Sequence, residues 1–292
     1  MTMANAIRQL VPDGCTVAMG TALEPLIPFA AGHEMIRQRR RDLELVGPIS
    51  DALFDQLIGA GCVRRVTAAW VGNVSEGLGH CYRRACEQGV PRDVEVRDHT
   101  NFSIALALWA AAWNVPSLPT RTLLGSDILA NHPGLRRAGE VVEVDAVHPD
   151  VAIVHVQRAD AEGRAHAWGP LGITEEAGLA ADAVIISCEE LVEPEVTLSD
   201  PNRILFPETK VLAVVHEPGG AHPSPVQGHF KRDHSFYRSY AEQSRSAAGF
   251  ETWLNTWVLD VADRATYMTR LDSNALRVTN HRLSAPADYG DE

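Results

Sequence analysis

Apolar positions in the first half of the chain come in short runs that end at glycine, proline or a polar turn. Each run is followed by apolar residues at helical spacing. Val17 to Met19 ends at Gly20, Leu43 to Val46 at Gly47-Pro48, and Val63 to Val71 at Gly72-Asn73, while Val94 to Arg97 runs into the polar turn Asp98-His99-Thr100-Asn101. Between them, Leu26, Phe29, Ala30, His33 and Ile36 mark a helix in the later part of 22–41. Ser50-Asp51 opens a helix through Ile58, and Ser75 is expected to cap one that reaches Gln88 and stops at Gly89. The polar turn after Arg97 opens a helix of small apolar residues ending near Asn114, followed by a Pro-bracketed strand, Pro116 to Pro119, and a polar loop, Thr120 to Asp127. This strand–helix alternation predicts an α/β fold with an open, mainly parallel sheet and helices on both faces. Ligands bind such sheets where strands end and helices begin, so the stretch Val94–Asp127 is the first place to look for chemistry.

The second half has a different texture. VAIVHVQ, Val151 to Gln157, reads as a strand, with DAEG at 160–163 as a turn and Ala165 to Trp168 pairing back as a hairpin. A short helix over 174–180 precedes two apolar strands, Ala183 to Ser187 and Lys210 to Val215, and then a Gly/Pro-rich loop from Glu217 to Gly228. Helices are expected near 233–243 and 246–258, the second with an apolar stripe of Phe250, Trp253, Leu254 and Trp257. With no repeat and no long linker, residues 1–292 read as one domain with a C-terminal helical region near 233–260 and a frayed tail ending APADYGDE.

The 292 residues are 45% hydrophobic, ample for a large core, and a formal charge of −12 argues against nucleic acid as the main partner. The basic run Arg37 to Arg41 falls at a helix end, where positive charge complements the dipole. Five scattered cysteines (Cys15, Cys62, Cys81, Cys86, Cys188) lack zinc-ligand spacing and read as buried thiols of a reducing compartment. There is no long apolar h-region at Met1 to Gln9 and no run long enough to span a membrane, so a cytoplasmic protein is expected.

The chain has no G-x-G-x-x-G after the first strand, no P-loop, no H-E-x-x-H and no G-x-S-x-G. His155 fits a strand core, the other histidines lack ligand spacing, and no metal site is expected. Glu175-Glu176 and Glu189-Glu190 read as solvated faces. Two clusters stand out. Asn101 and Ser103 sit at the start of the small-residue helix, where free backbone N–H groups and a carboxamide together suit a developing oxyanion; helix capping alone would equally place such residues there. Gly125-Ser126-Asp127 forms a second polar turn, with an ordinary turn as the alternative.

Several segments resemble the alpha chain of family I CoA-transferases, the group of the 3-oxoacid and glutaconate enzymes. They are LIGAGCVRRVTAAWVGN (Leu57 to Asn73), LPTRTLLGSDI (Leu118 to Ile128), VAIVHVQRADAEGRA (Val151 to Ala165) and PGGAHPSPVQG (Pro218 to Gly228). The resemblance covers roughly residues 5 to 258. It implies the open α/β fold shared with some sugar-phosphate isomerases and an active site at the interface with a CoA-transferase beta subunit, in an αβ or α2β2 assembly. The nucleophile is then a glutamate of that beta chain, and no S-E-N-G motif occurs in this one. Coenzyme A is implied as a co-substrate, with no permanently bound cofactor. Asn101 and Ser103 fall on the family's catalytic-side segment, while Gly72, Asn73, Phe102, Gly125, Ser126 and Asp127 are expected to line the substrate or CoA channel.

The chain departs from the 3-oxoacid pattern where a glutamine–glycine–threonine becomes Asn101-Phe102-Ser103, and where Arg164 follows Gly163 in place of the usual Asn. Asn101 keeps a carboxamide one methylene shorter. Phe102 adds a ring, and an apolar site near Phe102, Trp109 and Trp113 would suit a bulky acyl group, although the i, i+4 tryptophans are better read as core. The expected activity is acyl-CoA transfer. The alternatives are a ring-opening CoA-thioester hydrolase of the same fold, as in actinobacterial steroid degradation, and a non-catalytic binder of acyl-CoA or another metabolite.

Overall fold

A computed structural model describes residues 1–278. Seven strands form the parallel body of the main sheet, in the order 211–216, 183–191, 151–159, 16–19, 43–49, 63–70 and 95–98; the short strand Ala165–His166 turns back antiparallel on Val151–Ala159. The first four strands in sequence are successive neighbours. After Glu95–Asp98 the chain crosses behind the sheet through the helix Asn101–Ala112 and adds the later strands on the other side of Thr16–Met19. The order therefore reverses between Thr16–Met19 and Val151–Ala159, and there the segment ending in Thr174 fills the gap. Ile173 N–H donates to Thr21 O at 3.0 Å, and the Thr21 and Thr174 hydroxyls lie 2.9 Å apart.

Alternation along the strands divides the core between the two faces of the sheet. Val17, Met19, Leu45, Val66, Ile153 and Ile185 pack under helices Met3–Leu10, Phe29–Arg37, Asp51–Gly59, His234–Ser244 and Ala247–Leu254. Ala18, Val46, Val154, Val184 and Ile186 face Asn101–Ala112 and Thr174–Ala180. The expected α/β architecture is present. The Pro-bracketed strand, Ser117–Thr120, instead joins Leu135–Ala138 and Val141–Asp145 in a separate antiparallel sheet.

Three sequence expectations are corrected. Ser75 does not cap a helix: Asn73 Oδ1 accepts the amides of Ser75 and Glu76, Gly77 turns at a φ of 93°, and the hairpin 72–78 results, with the helix starting at His80. Only one of the two tryptophans packs on the core. Trp109 is half-buried against it, whereas Trp113 stacks on Trp109 and is 61% exposed, at the far end of the helix from Phe102. Glu189 is not solvated but buried, because the neighbouring strand brings His155 to 2.9 Å and Gly219 N–H donates to it at 2.8 Å. The two expected C-terminal helices are His234–Ser244 and Ala247–Leu254, with Phe250 and Trp253 buried, and short helices Arg264–Thr269 and Ser273–Leu276 extend the helical region past 260; the tail ending APADYGDE lies outside the described residues.

Candidate active site

The carboxyl ends of strands 43–49, 63–70 and 95–98 carry Ser50-Asp51, the hairpin 72–78 and the turn before Asn101. His99 N–H donates to Ala68 O, which holds that turn beside the end of the neighbouring strand. Thr100 caps the helix that follows: its Oγ1 accepts Ser103 N–H at 3.0 Å, and Ser103 Oγ accepts Thr100 N–H at 2.9 Å, a reciprocal capping box. Ser103 Oγ also pairs with His99 Nδ1 at 2.9 Å, and the residue is fully buried. Asn101 and Phe102 occupy the next positions facing outward, with Asn101 exposed and Phe102 49% exposed. The capping box thus turns Ser103 inward and leaves the Asn101 carboxamide at the positive end of a 12-residue helix.

His132, just past the helix Asp127–Asn131 that follows the 120–127 loop, packs its ring edge-on against His99 with centroids 4.4 Å apart. Burial, with His132 and Arg97 adding repulsion, pushes the His99 imidazole down to about 3, so both of its nitrogens serve a neutral ring at pH 7. Gly125 is exposed at a φ of 79°, Ser126 caps the five-residue helix Asp127–Asn131 through Leu129 N–H, and Asp127 is exposed in its first turn. On the hairpin, Gly72 and Asn73 are buried while Val74 and Leu78 are exposed. Asn101, Phe102, Gly125 and Asp127 therefore reach solvent; Ser103, Gly72 and Asn73 hold the loops in shape. Among the described residues there is no group of three or more His, Cys, Asp or Glu placed to hold a metal.

Sequence reasoning missed the carboxylates beneath these loops. Asp51 and Asp55 are buried one turn apart in DALFDQLIG, a helix buried over eight of its nine residues. Asp51 accepts from Asn73 Nδ2, and its other oxygen lies 2.8 Å from Arg232 Nη1. Burial raises its carboxyl to about 6 against the pull of Arg232. Asp55 accepts Tyr82 N–H at 2.7 Å and Tyr240 O–H at 2.5 Å. The available signal was two acids, i and i+4, in an otherwise apolar helix.

The sequence pattern of the family described as Coenzyme A transferase matches residues 1–217. The A subunit of 3-oxoadipate CoA-transferase from Pseudomonas knackmussii is 35% identical over 278 residues, 93% of this chain and 97% of that protein. The cholesterol ring-cleaving hydrolase IpdA subunit of Mycobacterium tuberculosis is 27% identical over 87% of this chain and 91% of its own length. Among solved structures, glutaconate coenzyme A-transferase from Acidaminococcus fermentans superposes with a TM-score of 0.89 at 28% identity, covering 96% of this chain and 95% of that one.

Proposed function

The chain belongs to the coenzyme A transferase family, and from that premise we propose that it is the alpha chain of a heteromeric enzyme whose beta chain brings the nucleophilic glutamate. In this reading the glutamate carboxylate attacks the acyl-CoA thioester carbonyl, expelling the CoA thiolate and forming a mixed anhydride. The thiolate then attacks the glutamyl carbonyl, releasing the free acid and leaving a glutamyl-CoA thioester. An acceptor carboxylate reverses both steps and regenerates the glutamate. Each attack places negative charge on a carbonyl oxygen, and Asn101 is the donor offered to it, backed by the N-terminal dipole of its helix. The observation that carries the reading is the exposed Asn101–Phe102 pair, held outward by a buried capping box at the carboxyl edge of the sheet. Phe102, Gly125, Ser126, Asp127 and the 72–78 hairpin frame the acyl or CoA channel around it. Phe102 also supports a second reading, a ring-opening hydrolase acting on a bulky CoA thioester, which would need a partner without the glutamate.

The two readings separate on co-expression with the candidate beta chain. Copurification and CoA exchange between two acids support the transferase; addition of one water to a cyclic acyl-CoA, giving a ring-opened product that keeps its CoA thioester, supports the hydrolase. A chain that never copurifies and stays a stable monomer overturns both.

A further inference from the structure

The loops around the candidate site are tied from below by the two buried carboxylates of helix 51–59. Asp51 receives Asn73 from the hairpin and Arg232 from the C-terminal region, and Arg232 in turn stacks on Tyr237 at 4.2 Å. One turn on, Asp55 receives Tyr82 N–H from the helix after the hairpin and Tyr240 O–H from the C-terminal helix. Both acids therefore join the hairpin segment to the C-terminal region. The approach is close enough to require glycines. A Cβ on Gly79 would collide with Asp55 Oδ1, and one on Gly72 would lie 2.5 Å from Gly77 O. Between hairpin and helix 234–244 remains a cavity of about 20 Å³, bordered by Asp55, Asn73, Tyr237 and Tyr240, room for a single water. Asn73 then spends its carboxamide oxygen on Ser75 and Glu76 N–H, so the Asp51 contact is transmitted directly to the hairpin tip.

We infer that Asp51 is a positioning residue for acyl-CoA: through Asn73 it fixes the 72–78 hairpin, which carries the exposed Val74 and Leu78 at the same carboxyl edge of the sheet as the Asn101 helix start, while Arg232 anchors Asp51 itself. The inference rests on the functional reading above only for its kinetic consequence. Ala52 to Ile58 are each buried in their own right, and the φ of 48° at Asp51 suits asparagine or glycine.

The test compares two double variants of the full chain, each lacking the buried ion pair: D51N/R232M keeps an acceptor for Asn73, and D51G/R232M removes it. Amide hydrogen exchange is expected to be at least about tenfold faster at Ser75 and Glu76 in D51G/R232M than in D51N/R232M, with strand 151–159 within about twofold. Equal exchange at Ser75 and Glu76, or uniform acceleration through the sheet, overturns the inference. In the complex with its beta chain, assayed with acetyl-CoA and glutaconate as probes, D51G/R232M is expected to raise KM for acetyl-CoA at least about fivefold over D51N/R232M with kcat within about twofold. A loosened hairpin with unchanged KM reduces Asp51 to a structural role and also overturns it. A wild-type complex without turnover counts against the functional reading, and the exchange comparison then decides the tie alone.

Discussion

Replacing Ser103 with alanine separates holding the site from acting in it. The change removes one hydroxyl from a fully buried position and leaves almost no cavity. It takes away the acceptor of Thr100 N–H and the partner of His99 Nδ1, each at 2.9 Å. Thr100 Oγ1 still accepts Ser103 N–H, so half of the capping box survives. The lost half is worth about 1 kcal/mol, and orphaning a buried imidazole nitrogen costs about 1–2 kcal/mol more. His99 Nε2 already lacks a hydrogen-bond partner among the described residues, so the ring has nowhere to turn. The expected loss is about 2–3 kcal/mol, or roughly 3–5 °C in Tm for a chain of this size. Chemical denaturation followed by circular dichroism gives the energy, and steady-state kinetics of the assembled enzyme give the contrast. At a temperature where S103A is folded, kcat/KM should fall by less than about tenfold, whereas N101A should keep its stability and lose on the order of 10²-fold or more. Unchanged stability in S103A with a collapse of kcat would refute this division of labour.

Other predictions concern the same edge and the network behind it. Because the folded His99 pKa lies near 3, below the unfolded value of about 6.5, the unfolded chain binds the extra proton between those values. This term therefore lowers stability as pH falls below 6.5, by about 1.4 kcal/mol per pH unit. Urea midpoints should fall less steeply between pH 6 and 4.5 in H99N than in the wild type. Phe102→Ala, at a half-exposed position, should change stability by no more than about 1 kcal/mol and shift the kcat/KM ratio between a bulky and a small acyl-CoA by about tenfold; an unmoved ratio would place Phe102 outside the channel. Glu189→Leu should cost about 2–3 kcal/mol, measured by denaturation, since it leaves two buried groups, the His155 ring and Gly219 N–H, without their partner.

The main strands were legible because most are buried on both faces and read as continuous apolar runs. Residues 63–71 and 151–157 mark strands that the structure places at Val63–Trp70 and Val151–Ala159. The boundaries that failed did so for tertiary reasons. Strand 183–191 runs four residues past Ser187 because His155 on the next strand makes a buried Glu189 tolerable. The hairpin 72–78 was hidden because Ser75 carries a capping signature that Asn73 overrides by taking its amide. At the candidate site, Asn101 stood out from its place at a helix start and Phe102 from the family resemblance, and both lie exposed at that helix start. Asp51 and Asp55 were not, since their partners Arg232 and Tyr240 lie 181 and 185 residues away. The small antiparallel sheet was unreadable from 135–138, where LRRA has no clean alternation. Trp109 and Trp113 have the spacing of a core pair, and only the structure shows that nothing in this chain covers Trp113 among the described residues.

The most direct test of the central claim is to incubate the assembled complex with an acyl-CoA, treat it with borohydride, and locate the modification on the two chains by mass spectrometry. The expected result is that a single glutamate of the beta chain is reduced, that prior acceptor acid prevents it, and that N101A slows its formation without changing where it falls. A modified residue on this chain, or thioester turnover with no trapped glutamate on either chain, would contradict it.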